Sequence, residues 1–243
     1  MAVLGSHIPL DDLNTQDAEA LLKWAADTYG ERAGIVTSFQ TTGCVTIDLA
    51  ARAGLNLRVL TIDTLRLPPE TYEVIEAVER RYGIRVERFQ PDPERLRRMV
   101  EQHGEYLFFD SKPKQEYCCS IRKVEPNGRA LATLDLWITG LRRDQSSFRK
   151  EVPKATVVNQ GGREIVKLSP LADWGEQGIW DHIRANDVPY NRLYDQGYTS
   201  IGCVICTTPT RSGEDKRAGR WRWFNQAGED KKECGIHIGG SGI

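Results

Sequence analysis

The stretch GIVTSFQTTGC, Gly34 to Cys44, sets the frame for the rest of the chain. Ile35 to Phe39 is a short β-branched, apolar run of strand character, and Gln40 to Gly43 is a polar turn. A helix is expected across Cys44 to Ala53, stopped by Gly54. A strand that runs straight into a helix is half of a βαβ unit, and the same rhythm recurs downstream. Leu57 to Ile62 reads as a strand, with Asp63 at its C-terminal end. Pro68-Pro69 opens a helix with Val74, Ile75, Val78 and Tyr82 on one face, closed by Gly83. Ile84 to Phe89 is a third strand. Asp92-Pro93-Glu94 supplies a cap, a first-turn proline and an acid to the helix that Gly104 ends. Leu136 to Thr139 is the fourth strand. The alternation, from Gly34 to about Leu168, predicts an α/β fold: a three-layer, mostly parallel sheet flanked by helices. Ligands of such sheets sit beyond the carboxyl ends of the strands, which draws Ser38, Asp63 and Gly140 to one crevice.

Outward from this frame, Asn14 to Tyr29 reads as one amphipathic helix, with Leu21, Leu22 and Ala25 on its apolar side. Asp173 to Glu176 resembles a capping box ahead of Ile179, Trp180 and Ile183, with Asn186 and Pro189 ending that helix. After Cys206 the apolar period fades. The expected organisation is a nucleotide-binding α/β domain over residues 1–206 and a mobile C-terminal tail over residues 207–243.

Net charge bounds the partners. The 243 residues carry 33 Lys and Arg against 34 Asp and Glu, a formal charge of −1. Nothing here matches the basic face that a nucleic acid needs. No apolar run approaches the roughly 20 residues of a membrane span, and Met1 to Leu10 has no basic, apolar leader pattern. A cytoplasmic location is expected, with no nucleic acid or membrane as partner.

The six cysteines are the informative residues. Cys118-Cys119 and Cys203-Val204-Ile205-Cys206 could hold an iron–sulfur cluster or a tetrahedral zinc, or be two unrelated buried pairs. Zinc pairs usually have two to four residues between ligands, and an adjacent pair fits that poorly. Cys44 reads as packing. Cys234 stands between Lys231-Lys232 and His237, neighbours that can favour the reactive thiolate, and on this context alone it reads either as a functional thiol or as a spare exposed cysteine on a tail. Arginines cluster beyond a strand end (Arg142, Arg143, Arg149) and between the C-x-x-C and Cys234 (Arg217, Arg220, Arg222). Guanidinium grips phosphate and sulfate bidentately. Asp63 and Glu70 could form an acid–base pair, although a strand-end Asp more often binds ribose or caps a turn.

With these residues in place, the chain resembles the assimilatory sulfonucleotide reductases, and within them the adenylyl-sulfate (APS) branch. The resemblance rests on Ile62–Tyr72 (IDTLRLPPETY), Tyr117–Pro126 (YCCSIRKVEP), Thr139–Gln145 (TGLRRDQ), Ser169–Leu171 (SPL), Pro189–Tyr198 (PYNRLYDQGY), Ser200–Cys206 (SIGCVIC), Gly219–Trp221 (GRW) and Lys232–His237 (KECGIH). It covers most of the chain from about residue 34. It implies an adenine-nucleotide α-hydrolase-like fold, one [4Fe–4S] cluster per subunit on Cys118, Cys119, Cys203 and Cys206, and Cys234 as nucleophile. It also implies APS as substrate, reduced thioredoxin as partner, a homo-oligomer as a possible assembly, and a place in sulfate assimilation and cysteine biosynthesis. The substrate-binding positions carried over are Ser38, Phe39, Gln40, Leu65, Lys123, Gly140, Arg149, Arg217, Arg220 and Trp221. Where relatives often have a Ser-Phe-Ser-Gly-Ala loop, this chain has Ser38-Phe39-Gln40-Thr41-Thr42-Gly43. The branch acting on the 3′-phosphorylated substrate lacks the four cluster cysteines. ATP-dependent thiolation enzymes carry a Ser-Gly-Gly-x-Asp-Ser loop that is missing here. A non-catalytic, metal-stabilised module would have no use for the Cys234 motif.

Overall fold

The computed structural model describes residues 8–146 and 149–224. Its centre is one six-stranded sheet in the order β3-β2-β1-β4-β6-β5. Strands β1 (Ala33–Val36), β2 (Arg58–Ile62), β3 (Val86–Phe89), β4 (Leu136–Ile138) and β6 (Arg163–Leu168) run parallel. Strand β5 (Ala155–Gln160) lies antiparallel to β6 at the edge. The parallel rhythm matches the expectation, while the β5–β6 hairpin was not anticipated. Gly161 (φ 59°) and Gly162 (φ 84°) make its turn, since two consecutive positive φ angles suit only residues without a Cβ penalty.

Helices α1 (Leu10–Thr15), α2 (Ala18–Tyr29), α3 (Thr41–Arg52), α4 (Pro69–Tyr82) and α8 (Glu176–Asn186) contribute to one large core. There Leu21, Leu22, Ile47, Ile75, Val78 and Ile179 pack with Ile35 and Ile138 of the sheet. The opposite face is covered by α7 (Glu125–Ala132), through Ala130 and Leu131 against Leu60, Trp137 and Ile165. A third cluster holds Met99 of α5 (Pro93–His103), Leu107 and Phe108 with Cys118 of α6 (Lys112–Cys119). This is the expected three-layer architecture. Among the described residues no helix is long and apolar enough to cross a membrane.

Caps explain several boundaries. Asp92 accepts from Arg95 N at 2.9 Å, and Gly83 ends α4 in the left-handed region (φ 64°). Two expectations need correction. The helix expected from Asn14 breaks at Gln16, whose ψ is 157°, and restarts under Asp17, whose carboxylate accepts from Ala20 N at 2.8 Å. The Asn14 side chain instead pairs with both backbone groups of Ala155, at 2.9 and 3.1 Å, and ties α1 to the edge strand. The capping box expected at Asp173 does not form. The N-cap of α8 is Gly175, and Glu176 N donates to Asp144 at 2.8 Å.

The segment Thr207 to Phe224, expected to belong to a tail, packs onto the domain. Thr207 bridges Arg220, Thr208 N donates to Gly219 O at 2.9 Å, and Trp221 N donates to Cys206 O at 3.1 Å.

Candidate active site

The strand order reverses between β1 and β4, and a cleft of about 230 Å³ opens there beyond their C-terminal ends. Its floor is the start of α3. Gln40 holds the N-cap position with extended backbone (φ −77°, ψ 165°), yet no side chain caps the helix. The first N–H groups of α3 have no intrahelical acceptor, so this end attracts an anion. Gly43 lets the strand β1 exit lie close: a Cβ there would stand 1.9 Å from Thr37 Oγ1. Gly140 packs its own backbone on the same turn, with a built Cβ 3.3 Å from Gly43 N.

Ser38, Gln40, Lys123, Gly140, Arg149, Arg217 and Arg220 all line this cleft. Gln40 also straps it: its Nε2 donates to Ser38 Oγ at 3.0 Å, and its Oε1 accepts from Ile201 N at 3.1 Å. Phe39, Leu65 and Trp221 are not among the lining residues. All three have positive φ (55°, 57° and 46°), strained for residues with a side chain. Phe39 buries its ring in the core and bonds its N–H to Thr37 Oγ1 at 3.0 Å. Leu65 is exposed, its turn held by Asp63 Oδ1 at 2.9 Å. Asp63 accepts in addition from Tyr72 Oη at 2.7 Å and Gln90 Nε2 at 2.9 Å. That carboxylate is committed to the turn, and burial together with it pushes the Tyr72 phenol up to about 12. The acid–base reading of Asp63 does not apply.

The sequence reading placed Arg142 in the arginine cluster beyond the strand end but did not separate it from Arg143. Arg142 is buried, donates to Thr42 Oγ1 at the start of α3, and pairs with Asp144 at 2.9 Å. Burial would raise the Asp144 carboxyl, but the Arg142 guanidinium and Glu176 N hold it below the usual carboxylate range. One arginine therefore locks α3, β4 and α8 together on the cleft wall. Its signal was the strand-exit position two residues after Gly140. Adjacent Arg143 is exposed and spends itself on Val152 O at 3.0 Å. Thr41, Thr42, Gln145, Tyr194 and Ser200 also line the cleft and were not anticipated.

Behind the cleft lie four buried thiols. Cys119, Cys203 and Cys206 share a cluster with Trp221, and Cys118 lies in the adjoining one, the two linked by Ile205 and Trp223. Cys118-Cys119 ends α6, and the chain continues through a π-helical turn, Ser120–Val124, into α7. Pro126 in the first turn of α7 explains the wide turn: it has no N–H, and its ring would strike the carbonyl of Arg122 in a regular helix. The resulting run carries Cys119 toward the thiols and Lys123 and Asn127 into the cleft wall. Cys203 Sγ donates to Thr64 Oγ1 at 3.3 Å, and Gln115 Nε2 donates to Cys119 Sγ at 3.2 Å.

Cations crowd this pocket. Burial opposes ionisation of Cys203, but Lys123, the Thr64 hydroxyl, Arg220 and Arg122 bring its thiol below the ordinary value. Cys206 is pushed up to about 11 by burial and by Cys203. Arg122 donates to Thr64 O at 2.9 Å, and Arg220 stacks on Trp221 at 4.9 Å. Buried donors Arg66 Nη1, Arg122 Nε, Trp221 Nε1 and Trp223 Nε1 have no acceptor among the described residues. Trp221 thus forms a wall of the thiol pocket rather than of the cleft. Among the described residues no three Cys, His, Asp or Glu side chains are arranged to hold a single metal ion. Cys44 is apart on α3, where burial pushes it up to about 12. Cys234 lies outside the described residues.

Known proteins resemble this chain in sequence and fold. The phosphoadenosine phosphosulfate reductase domain matches residues 32–209. The adenosine 5′-phosphosulfate reductase of Allochromatium vinosum is 44% identical over 93% of this chain and 87% of its own. That of Bacillus subtilis, adenosine 5′-phosphosulfate reductase 2, is 38% identical over 89% and 88%. The crystal structure of the Candida auris phosphoadenylyl-sulfate reductase, a phosphate complex, superposes with a TM-score of 0.70 at 28% identity, covering 84% of this chain and 98% of that one. A Candida glabrata FMN adenylyltransferase (TM-score 0.57, 14% identity, 87% and 73% covered) shares the fold alone. The cleft and its thiols thus stand on a fold shared with these proteins, and the chain belongs to the phosphoadenosine phosphosulfate reductase family.

Proposed function

We propose that the protein reduces adenosine 5′-phosphosulfate to sulfite and AMP, in sulfate assimilation, with a thioredoxin-class dithiol as reductant. The observation that carries this reading is the pairing of an electropositive cleft at the sheet's switch point with four buried thiols directly behind it, joined through Lys123. Support also comes from relatives of 38% and 44% identity that are named adenosine 5′-phosphosulfate reductases.

The chain's own residues would act as follows. The α3 N-terminus, Ser38 and Arg142 receive the anion, while Lys123, Arg149, Arg217 and Arg220 neutralise charge that moves onto the departing phosphate. The Cys234 thiolate attacks the sulfuryl sulfur, the S–O bond to AMP breaks, and a cysteine S-sulfonate remains. A reductant thiolate then attacks Cys234 Sγ and expels sulfite with the bonding electron pair. The reductant's second thiol resolves the mixed disulfide, so the dithiol loses two electrons and sulfur falls from the +6 to the +4 state. Cys234 would thus meet the substrate in the first half-reaction and the reductant in the second.

Cys118, Cys119, Cys203 and Cys206 would hold a [4Fe–4S] cluster. The donor set fits: four buried sulfurs, surrounding cations, and indole and guanidinium N–H groups still lacking an acceptor. When bound, such a cluster supplies an anionic, hydrogen-bond-accepting group beside the cleft. Anaerobic purification followed by a sulfite-release assay tests the whole reading. APS should be turned over in preference to its 3′-phosphorylated form, by protein that contains iron and acid-labile sulfide. Equal or higher kcat/KM on the 3′-phosphorylated nucleotide, or stoichiometric zinc without sulfide, would overturn it.

A further inference from the structure

Six large apolar side chains are exposed among the described residues: Leu65, Tyr106, Phe109, Tyr117, Val124 and Val204. Single exposed apolar residues are ordinary on any protein. Their confinement here is not. Val204 lies inside the Cys203–Cys206 turn, and Tyr117 and Val124 flank Cys118-Cys119 on the helical run. Leu65 precedes Arg66, whose carbonyl accepts from Val204 N at 2.9 Å. Tyr106 and Phe109 sit on the loop that packs against α6. Their rings are knitted together: Tyr106 meets Phe108 at 6.0 Å, Phe108 meets Phe109 at 4.6 Å, and Phe109 meets Trp223 at 4.7 Å. The outer helices α2, α4 and α8 carry none of the six.

We infer that this apolar rim around the thiol pocket is the docking surface for the dithiol protein that reduces Cys234. The inference rests on the proposed function, in which Cys234 carries the S-sulfonate. A small polyanionic substrate gains nothing from exposed aromatic rings, whereas protein interfaces are enriched in them. The connection of the chain points the same way. The described residues end at Phe224, next to Trp223 and so beside Phe109. Cys234 follows ten positions later, a tether of at most roughly 35 Å when extended. A protein seated on the rim therefore has Cys234 Sγ within reach of its own thiolate. The step it performs is the exchange already balanced above: one S–S bond forms to the partner, sulfite leaves, and the dithiol supplies both electrons.

Two substitutions on separate elements test this, Tyr106→Glu and Tyr117→Glu, in the full-length, cluster-containing enzyme. Each should raise the KM for reduced thioredoxin at least fivefold, and the pair more. Turnover driven by dithiothreitol, iron content and single-turnover AMP release from APS should stay within twofold. An unchanged KM for thioredoxin in both variants overturns the inference. So does a change in sedimentation with unchanged KM, which would assign the rim to a second copy of this chain. Because the substitutions sit on different elements, a folding defect in one leaves the other to decide. Wild-type enzyme that releases no AMP from APS would instead defeat the functional reading itself.

Discussion

Gly202 offers a way to move one guanidinium without touching its charge. A Cβ at this position would stand 2.2 Å from Arg220 Nη2 and 2.5 Å from its Cζ. Ordinary contact begins near 3.4 Å, so the guanidinium must retreat by about 1.2 Å (3.4 less 2.2). It has little room to do so. Arg220 is 6% exposed, its Nη1 donates to Ile201 O at 3.3 Å, and its guanidinium stacks on Trp221 at 4.9 Å. Gly202→Ala should therefore cost one hydrogen bond to a charged partner, about 1.5–3 kcal/mol. At 1.36 kcal/mol per decade this predicts a fall in kcat/KM for APS of roughly 10- to 150-fold. Sulfite release measures it, with iron content and Tm as controls, since Cys203 is adjacent. The double variant Gly202→Ala/Arg220→Ala should be no worse than Arg220→Ala alone, because both act through one group. A folded, iron-replete Gly202→Ala enzyme whose kcat/KM lies within threefold of wild type would refute the assignment of Arg220 to the substrate.

Cys234→Ser should bind APS yet make no sulfite, while wild type without thioredoxin should release about one AMP per chain and gain a sulfite-sized mass on the Cys234 peptide; the same mass on another cysteine would redirect the mechanism. Cys206→Ser should lose iron, colour and activity together, read by iron analysis and visible absorption. Asp135, bonded to Arg32 at 2.9 and 2.8 Å and paired with Arg163, is held below the usual carboxylate range chiefly by the Arg32 bond, against the opposing effect of burial. A depressed carboxylate stabilises the fold above its unfolded pKa and loses that contribution as pH falls through its folded value. Asp135→Asn should therefore lower Tm at pH 7, with the gap to wild type closing in acid; a gap that persists or widens there would contradict the pairing.

Much of the scaffold could be read from local chemistry. Gly83, Asp92 and Gly104 end or begin helices through contacts within a few residues, and sequence position exposes such contacts directly. The α1–α2 break was hidden because Asn14 finds its partner at Ala155, 141 positions away. The α8 cap was misread for the same reason, Asp144 being brought to Glu176 only by the fold. In the candidate site, Ser38, Gln40, Lys123 and the arginines were legible as positions near strand ends or cysteines. Arg142 was not singled out, since its distinction from Arg143 depends on which of two neighbours turns inward. Gly161-Gly162 between β-branched runs did signal the β5–β6 hairpin and was passed over.

The π-helical turn after Cys119 has a consequence for how this protein tolerates change. Such a turn holds one residue more than the α-helical turn it replaces, a phase offset of roughly 100° between the thiol-bearing helix upstream and the helix that covers the sheet downstream. Removing any single residue from Ser120–Val124 would force Pro126 into a regular helical turn, where its ring meets the carbonyl four residues back, and would rotate two functional faces out of alignment. Length at this point is as constrained as residue identity: substitutions at the outward positions can drift, but an insertion or deletion of one residue would aim the cysteines at the wrong neighbour.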